Sequence, residues 1–184
     1  MRFFISDTHF GHANIIRYCD RPFSTAEDMD KAMIDRWNEL VTDCDEVFFI
    51  GDFSLTLSAE RTAEILHELR GTKHLILGNH DDRRSKGFWS KHFATVEDTR
   101  RVLIAPVNRS VTLHHYPMRG SEAPRLLIHG HSHHTRPLLS TCESTRQLRI
   151  NVSVEGLDYT PISEDRISEF IEQHEVSFLE KGAS

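Results

Sequence analysis

The sequence predicts an α/β fold in a single domain, and three observations predict it. Short apolar runs, Phe3-Phe4-Ile5, Val47-Phe48-Phe49-Ile50 and Leu75-Ile76-Leu77, are too brief for helices and suit buried strands. Amphipathic stretches separate them, an alternation that implies right-handed crossovers and parallel neighbours. After Val102 the pattern changes to short strand-like segments joined by turns, so the carboxyl half reads as a strand-rich second sheet. With 184 residues the chain can bury a full core without disulfide staples.

Phe3 to Ser6 opens the chain as a strand, and on extended backbone Asp7 and His9 face the same way. Gly11 to Ile16 reads as a turn and short helix that bring His12 and Asn14 to the same rim. Ser24-Thr25-Ala26-Glu27 fits a capping box with Ser24 as the cap, and Met29, Met33, Trp37, Leu40 and Val41 then fall on one helical stripe. The strand Val47 to Ile50 leads to Gly51-Asp52. A helix from Ser58 through Arg70 is closed by Gly71, and Leu75 to Leu77 delivers Gly78-Asn79-His80-Asp81.

Arg83 to Arg101 reads as an amphipathic surface helix that packs Phe88, Trp89 and Phe93, with a surface on which substrate stacks as the alternative. Strands are expected at Val102–Ile104, Val111–Leu113, Leu126–Ile128 and Leu148–Val152, with a polar loop from Thr135 to Gln147. A last helix runs from Ser163 to about Gln173, with acidic residues suited to its first turn, and Glu180 to Ser184 reads as a frayed tail.

Composition narrows the function. A formal charge of -6, from 28 acidic against 22 basic residues, lacks the basic bias of proteins that bind long nucleic acid. The three cysteines form no Cys-x-x-Cys pair, which suits a reducing compartment. No apolar run is long enough for a signal-peptide core or a bilayer span, so a cytoplasmic location is expected, with no membrane partner. The 13 histidines cluster after strands, which points to imidazole-rich metal coordination beyond the carboxyl ends of the sheet.

The blocks Asp7-Thr8-His9, Gly51-Asp52, Gly78-Asn79-His80-Asp81, His115-Tyr116-Pro117 and Gly130-His131-Ser132-His133 occur in that order. Together they resemble the calcineurin-like metallophosphoesterases. The run Asp7 to His12 with Asn14-Ile15-Ile16, and later Asn151-Val152 and Tyr159-Thr160-Pro161-Ile162, is similar to a compact bacterial and phage subgroup without a cap domain.

The resemblance implies a four-layer α-β-β-α sandwich of two mixed sheets, one domain over residues 1–184. It implies that Asp7, His9, Asp52 and His133 hold one divalent ion and that Asp52, Asn79, His115 and His131 hold another, with Asp52 bridging. Imidazole and carboxylate donors without thiolate suit manganese, the ion expected, and also iron, zinc, nickel or cobalt. The implied chemistry is hydrolysis of a phosphate ester by in-line attack of a hydroxide shared by the ions, with His80 protonating the leaving oxygen or stabilising its charge. Asp81 either orients His80 or caps the next helix.

His12, Asn14 and Arg119 are expected near substrate, Arg119 being chosen over Arg83, Arg84 and Arg136. His114, His129 and His134 read as structural or solvated. A small phosphodiester is expected as substrate in preference to a monoester. A nuclease or RNA- or cyclic-nucleotide-processing phosphodiesterase and a non-catalytic binding module on the same scaffold are the alternatives. The sequence sets no oligomeric state.

Overall fold

The computed structural model describes residues 1–120, 122–135 and 137–181, with side chains through Glu175. The amino half separates its strands by helices: β1 (Arg2–Ile5), α1 (Ala13–Tyr18), α2 (Ala26–Leu40), β2 (Glu46–Phe49), α3 (Ala59–Glu68) and β3 (Thr72–Ile76). It continues through a four-residue helix α4 (Lys86–Trp89) and β4 (Thr95–Glu97). The carboxyl half is β5 (Thr99–Ile104), β6 (Arg109–His114), β7 (Leu126–His129), β8 (Leu139–Cys142), β9 (Gln147–Asn151), β10 (Ile162–Ser163) and α5 (Glu164–Lys181).

These strands make two mixed five-stranded sheets, ordered β10-β1-β2-β3-β4 and β5-β6-β7-β9-β8. In the first, β1 to β4 are parallel and β10 runs antiparallel to β1. In the second, β6, β7 and β9 are parallel, flanked by antiparallel β5 and β8.

Alternation along each strand decides which core a side chain enters. Phe3, Ile5, Val47, Phe49 and Leu75 join Met29, Met33, Trp37, Ile65 and Leu66 in a cluster between the first sheet and its helices. Their neighbours Phe4, Phe48, Ile50 and Ile76 meet Val102, Ile104, Val111, Leu113, Ile128 and Ile150 in a second cluster between the sheets. Ile167, Phe170 and Ile171 of α5 complete that second cluster. Each such side chain contributes about 1.5–3 kcal/mol on full burial. No helix among the described residues is long and apolar enough to cross a membrane.

Several local expectations are corrected. The cap of α2 is Thr25, whose hydroxyl accepts from the Asp28 amide at 3.0 Å, so the helix starts one residue later than a Ser24 cap would place it. α3 ends at Glu68; Gly71, at φ +85°, lies beyond it and turns the chain into β3. The long helix expected over Arg83 to Arg101 is replaced by α4, β4 and the start of β5. Trp89 and Phe93 are buried as expected, yet the backbone at Thr95–Glu97 pairs with β3. The polar segment Thr135 to Gln147 contains β8, which folds back on β9. α5 continues to Lys181, past the expected end near Gln173, so Glu180 and Lys181 are helical and only 182–184 of the expected tail lie outside the described residues.

Candidate active site

Five loops converge at the carboxyl ends of β1, β2, β3, β6 and β7. The loops after β1 and β2 run side by side: the Asp7, His9 and Phe10 amides donate to the Gly51, Asp52 and Phe53 carbonyls at 3.0, 3.2 and 2.9 Å. The second sheet is tied to the first here, because the Ser6 amide donates to the Val152 carbonyl at 2.9 Å and His115 Nδ1 donates to the Ile50 carbonyl at 2.9 Å.

Asp7, His9, Asp52, His131 and His133 all adopt left-handed backbone, with φ of 58, 50, 61, 65 and 43°. Such conformations are costly for residues with a Cβ and are concentrated at functional sites. Close approach explains two of the motif glycines: a Cβ on Gly78 would collide with the Asp52 carboxylate, and one on Gly130 with the Asp7 carboxylate.

The donors gather in two groups. Ligand atoms of Asp7, His9 and His133 lie within 4.8 Å of one another, and so do those of Asp52, His115 and His131. Asp52 Oδ2 stands between the groups, 3.7 Å from His9 Nε2 and 3.4 Å from His115 Nε2. Asn79 Oδ1 is 3.1 Å from His115 Nε2 and 3.0 Å from His131 Nδ1. His133 Nε2 is 3.8 Å from Asp7 Oδ1. All seven residues expected to hold metal are therefore brought together.

Their electrostatics favour a cation. Burial holds His9 neutral, with a pKa of about 3 despite Asp52 nearby, and both of its ring nitrogens are buried without a hydrogen-bond partner. Because His115 donates through Nδ1, its Nε2 is the nitrogen that faces the oxygens of Asp52 and Asn79. Burial opposes a charge on His115, but the Asp52 and Asp7 carboxylates outweigh it and raise the imidazole to about 9. Burial likewise opposes ionisation of Asp52, while the hydrogen bond and charge of His115, with help from His9 and the His80 amide, hold it at about 2. Burial raises the Asp7 carboxyl. An ionised Asp52 and a neutral His9 whose ring nitrogens have no partner leave donor lone pairs that a divalent cation would satisfy, and the oxygen and nitrogen donors fit such an ion.

Around this cluster lie residues that the sequence patterns did not reveal. Ser6 and Ser153 hydroxyls donate to Asp7 Oδ2 at 2.5 and 2.9 Å, and the His131 amide donates to the same oxygen at 2.9 Å. His133 Nδ1 donates to Glu155 Oε1 at 2.9 Å. Glu155 in turn accepts from Arg21 at 2.6 Å, and Arg21 also donates to the Asp7 and Thr8 carbonyls, both at 2.7 Å. Asn151, which the sequence marks only through its subgroup resemblance, donates to the His133 carbonyl at 2.9 Å. Cys19 is buried on the same side of His133, its sulfur within 4.8 Å of ligand atoms of His133 and Glu155.

Asp81 takes neither role expected of it. Its carboxylate accepts from the amides of Asp52 at 2.8 Å, Phe53 at 3.0 Å and Gly78 at 2.9 Å, so it clamps the two loops that present Asp52 and Asn79. His80 donates its amide to Asp52 Oδ1 at 2.9 Å, and its ring, one-third exposed (33%), holds Nε2 4.0 Å from Asp52 Oδ2. His12 is buried with its ring 5.8 Å from that of His9, whereas Asn14 is exposed on α1.

Arg119 is exposed on the loop between β6 and β7, and Arg83 is exposed near His80. Arg84 is occupied by the Leu57 carbonyl and the Thr62 hydroxyl, and Arg136 lies outside the described residues. His129 is buried and bonded to the Gly130 carbonyl, His114 bonds the Tyr116 backbone, and His134 is exposed.

Residues 1–152 match the model of the calcineurin-like phosphoesterase superfamily domain. The chain belongs to that superfamily. This phosphoesterase is 38% identical over 177 residues to an uncharacterized protein of Methanocaldococcus jannaschii, a match covering 95% of this chain and 93% of the relative. It is 29% identical over 192 residues to the gene 66 protein of Mycobacterium phage D29, covering 89% and 92% of the two chains. Among solved structures, a protein of unknown function from Aquifex aeolicus superposes with a TM-score of 0.73 at 26% identity, covering 92% of this chain and 98% of the other. Family membership makes the chain a metal-dependent phosphoester hydrolase in the general sense and implies divalent ions, for which the histidine and aspartate groups provide candidate positions.

Proposed function

We propose that this phosphoesterase is a manganese-dependent phosphodiesterase. The observation that carries the reading is the single carboxylate oxygen of Asp52 set between His9 Nε2 and His115 Nε2, at 3.7 and 3.4 Å. Asp7, His9, Asp52 and His133 would hold one ion, and Asp52, Asn79, His115 and His131 the other. When bound, such ions lower the pKa of a coordinated water toward about 7 and neutralise charge at the phosphoryl oxygens.

The remaining chemistry belongs to the chain. His80, tethered through its amide to Asp52 but with its ring turned partly to solvent, delivers a proton to the departing ester oxygen. Asp81 keeps the Asp52 and Asn79 loops in register, and Glu155 fixes which nitrogen of His133 is free. The ester oxygen departs as an alkoxide, a poor leaving group that benefits from that proton. Exposed His131 and Tyr116 leave the mouth open for substituents on both sides of phosphorus. Free cysteines at Cys19, Cys44 and Cys142 agree with action in the cytoplasm.

The test is turnover of bis(p-nitrophenyl) phosphate against p-nitrophenyl phosphate by manganese-loaded protein. The diester is expected to be preferred, and a clear preference for the monoester sinks the reading. Asp52→Asn is expected to lose both metal, measured by elemental analysis, and activity. His80→Ala is expected to keep its ions while kcat on a diester with an alkyl leaving group falls about 10²- to 10⁴-fold; a His80→Ala protein fully active on that diester removes its assigned role.

A further inference from the structure

The net charge of -6 conceals a strong polarity. Residues 99–149, which include four of the five strands of the second sheet and the start of its fifth partner β9, carry eight arginines and no lysine against two glutamates, a net of +6. The rest of the chain is therefore acidic, at -12.

The arginines are not scattered. Arg101, Arg109, Arg125 and Arg146 line one cleft on the second sheet. Through Arg101, Thr112 and Pro124 this cleft continues into a second, which reaches Thr99 and His114. His114 bonds the Tyr116 backbone, and Tyr116 lines a third cleft together with Gly78 and Asn79 of the active site. Strand pairing sets the line of the path, since Arg101 lies opposite Thr112 and Thr99 opposite His114. From Arg109 to His115 along β6 the path spans roughly 20 Å. Arg109 is paired with Glu175, but among the described residues exposed Arg101, Arg125 and Arg146 have no carboxylate within ion-pair distance.

We infer that this groove binds a single-stranded polynucleotide and feeds its phosphodiester backbone into the active site, an inference that rests on the phosphodiesterase reading. The path ends where a phosphodiester is cleaved, and a nucleic-acid strand is a polymer of that same bond with a charge at every repeat. Arginine grips phosphate through paired N–H donors, which suits recognition of each repeat better than lysine. Tyr116 is 42% exposed at the mouth and packs its ring 4.7 Å from that of His131, so it offers a face on which a base can stack. Carboxylates also line the path, Glu122 in the second cleft and Asp82 and Asp98 in the third, so the arginine grip belongs to the far end of the groove, and the acidic remainder of the chain repels the strand outside it.

The experiment compares wild type with Arg101→Gln/Arg125→Gln/Arg146→Gln and with the matching lysine triple, each manganese-loaded and checked for fold by circular dichroism. Substrates are bis(p-nitrophenyl) phosphate and end-labelled single strands of about 15 nucleotides, oligouridylate and oligothymidylate. The glutamine triple is expected to lose about ten-fold or more in kcat/KM on the strands and to flatten their steep salt dependence, the lysine triple to retain most of both, and the small diester to be unaffected by either. Equal effects on both substrates, or none on the strands, overturn the groove.

If the small diester is hydrolysed but wild type neither binds nor cleaves either strand, the groove fails and the phosphodiesterase reading stands. If the small diester is inert while strands bind by fluorescence anisotropy in an arginine-dependent way, the groove stands and the catalytic reading fails. Arginine-dependent binding to phosphatidylglycerol vesicles, or self-association by light scattering, with strand binding unchanged in the variants, also overturns it.

Discussion

At the scale of single residues, the donors that face the cluster are held by others that do not. Glu155 and Arg21 are the clearest pair: their side chains are 4% and 0% exposed, and they join the His133 ring to the Asp7 and Thr8 backbone. Removing one partner of a buried ion pair strands the other, so Glu155→Ala is expected to cost about 3–5 kcal/mol. That corresponds to a fall in Tm of roughly 10 °C for a chain of this size. Replacing both partners with methionine is expected to restore much of the stability while lowering metal affinity; a Glu155→Ala protein as stable as wild type would contradict the argument. The donors were legible in the sequence because each stands directly after an apolar run and a turn. Arg21, Ser153 and Glu155 carry no such mark, since their partners lie far along the chain and only tertiary packing brings them in.

At the scale of elements, α2 couples the first helical layer to the loop carrying His9. Buried Asp30 on this helix accepts from the Gly11 amide at 2.9 Å. Burial raises its carboxyl to about 6, against the opposing pull of that amide. With an unfolded value near about 3.9, the folded chain holds a proton on Asp30 that the unfolded chain has released over the intervening pH range. Its contribution is thus fully present below about pH 4 and is lost as pH rises through about 6. Asp30→Asn keeps the acceptor without the titration, so the urea midpoint of the variant relative to wild type is expected to climb from about pH 4 to about pH 7. A difference that stays flat across that range would refute the assignment.

Strand and helix order through β3 could be read from sequence because local pattern and burial agree there. β4 and β8 could not, for opposite reasons. β4 is three residues recruited by pairing with β3 after a turn rich in aromatic residues, and β8 is a polar edge strand specified only by its hairpin with β9.

At the scale of the whole molecule, the candidate donors come from both sheets: Asp7, His9, Asp52 and Asn79 follow strands of the first, and His115, His131 and His133 follow strands of the second. Ions held among them would staple the sandwich at one end. Chelation is therefore expected to lower Tm, by an amount equivalent to about 2.7 kcal/mol when free manganese had stood at about 100 times Kd, and to leave Asp52→Asn almost unchanged. Equal losses in both proteins would show that the chelator acts elsewhere.

The five left-handed donors have a consequence for the protein's history. At Asp7, His9, Asp52, His131 and His133 glycine would relax the backbone, yet glycine brings no side chain to the cluster. Selection for robustness alone would erode these positions among the earliest, leaving a sturdier, inert relative, so in a distant homologue they show whether the catalyst was kept or abandoned.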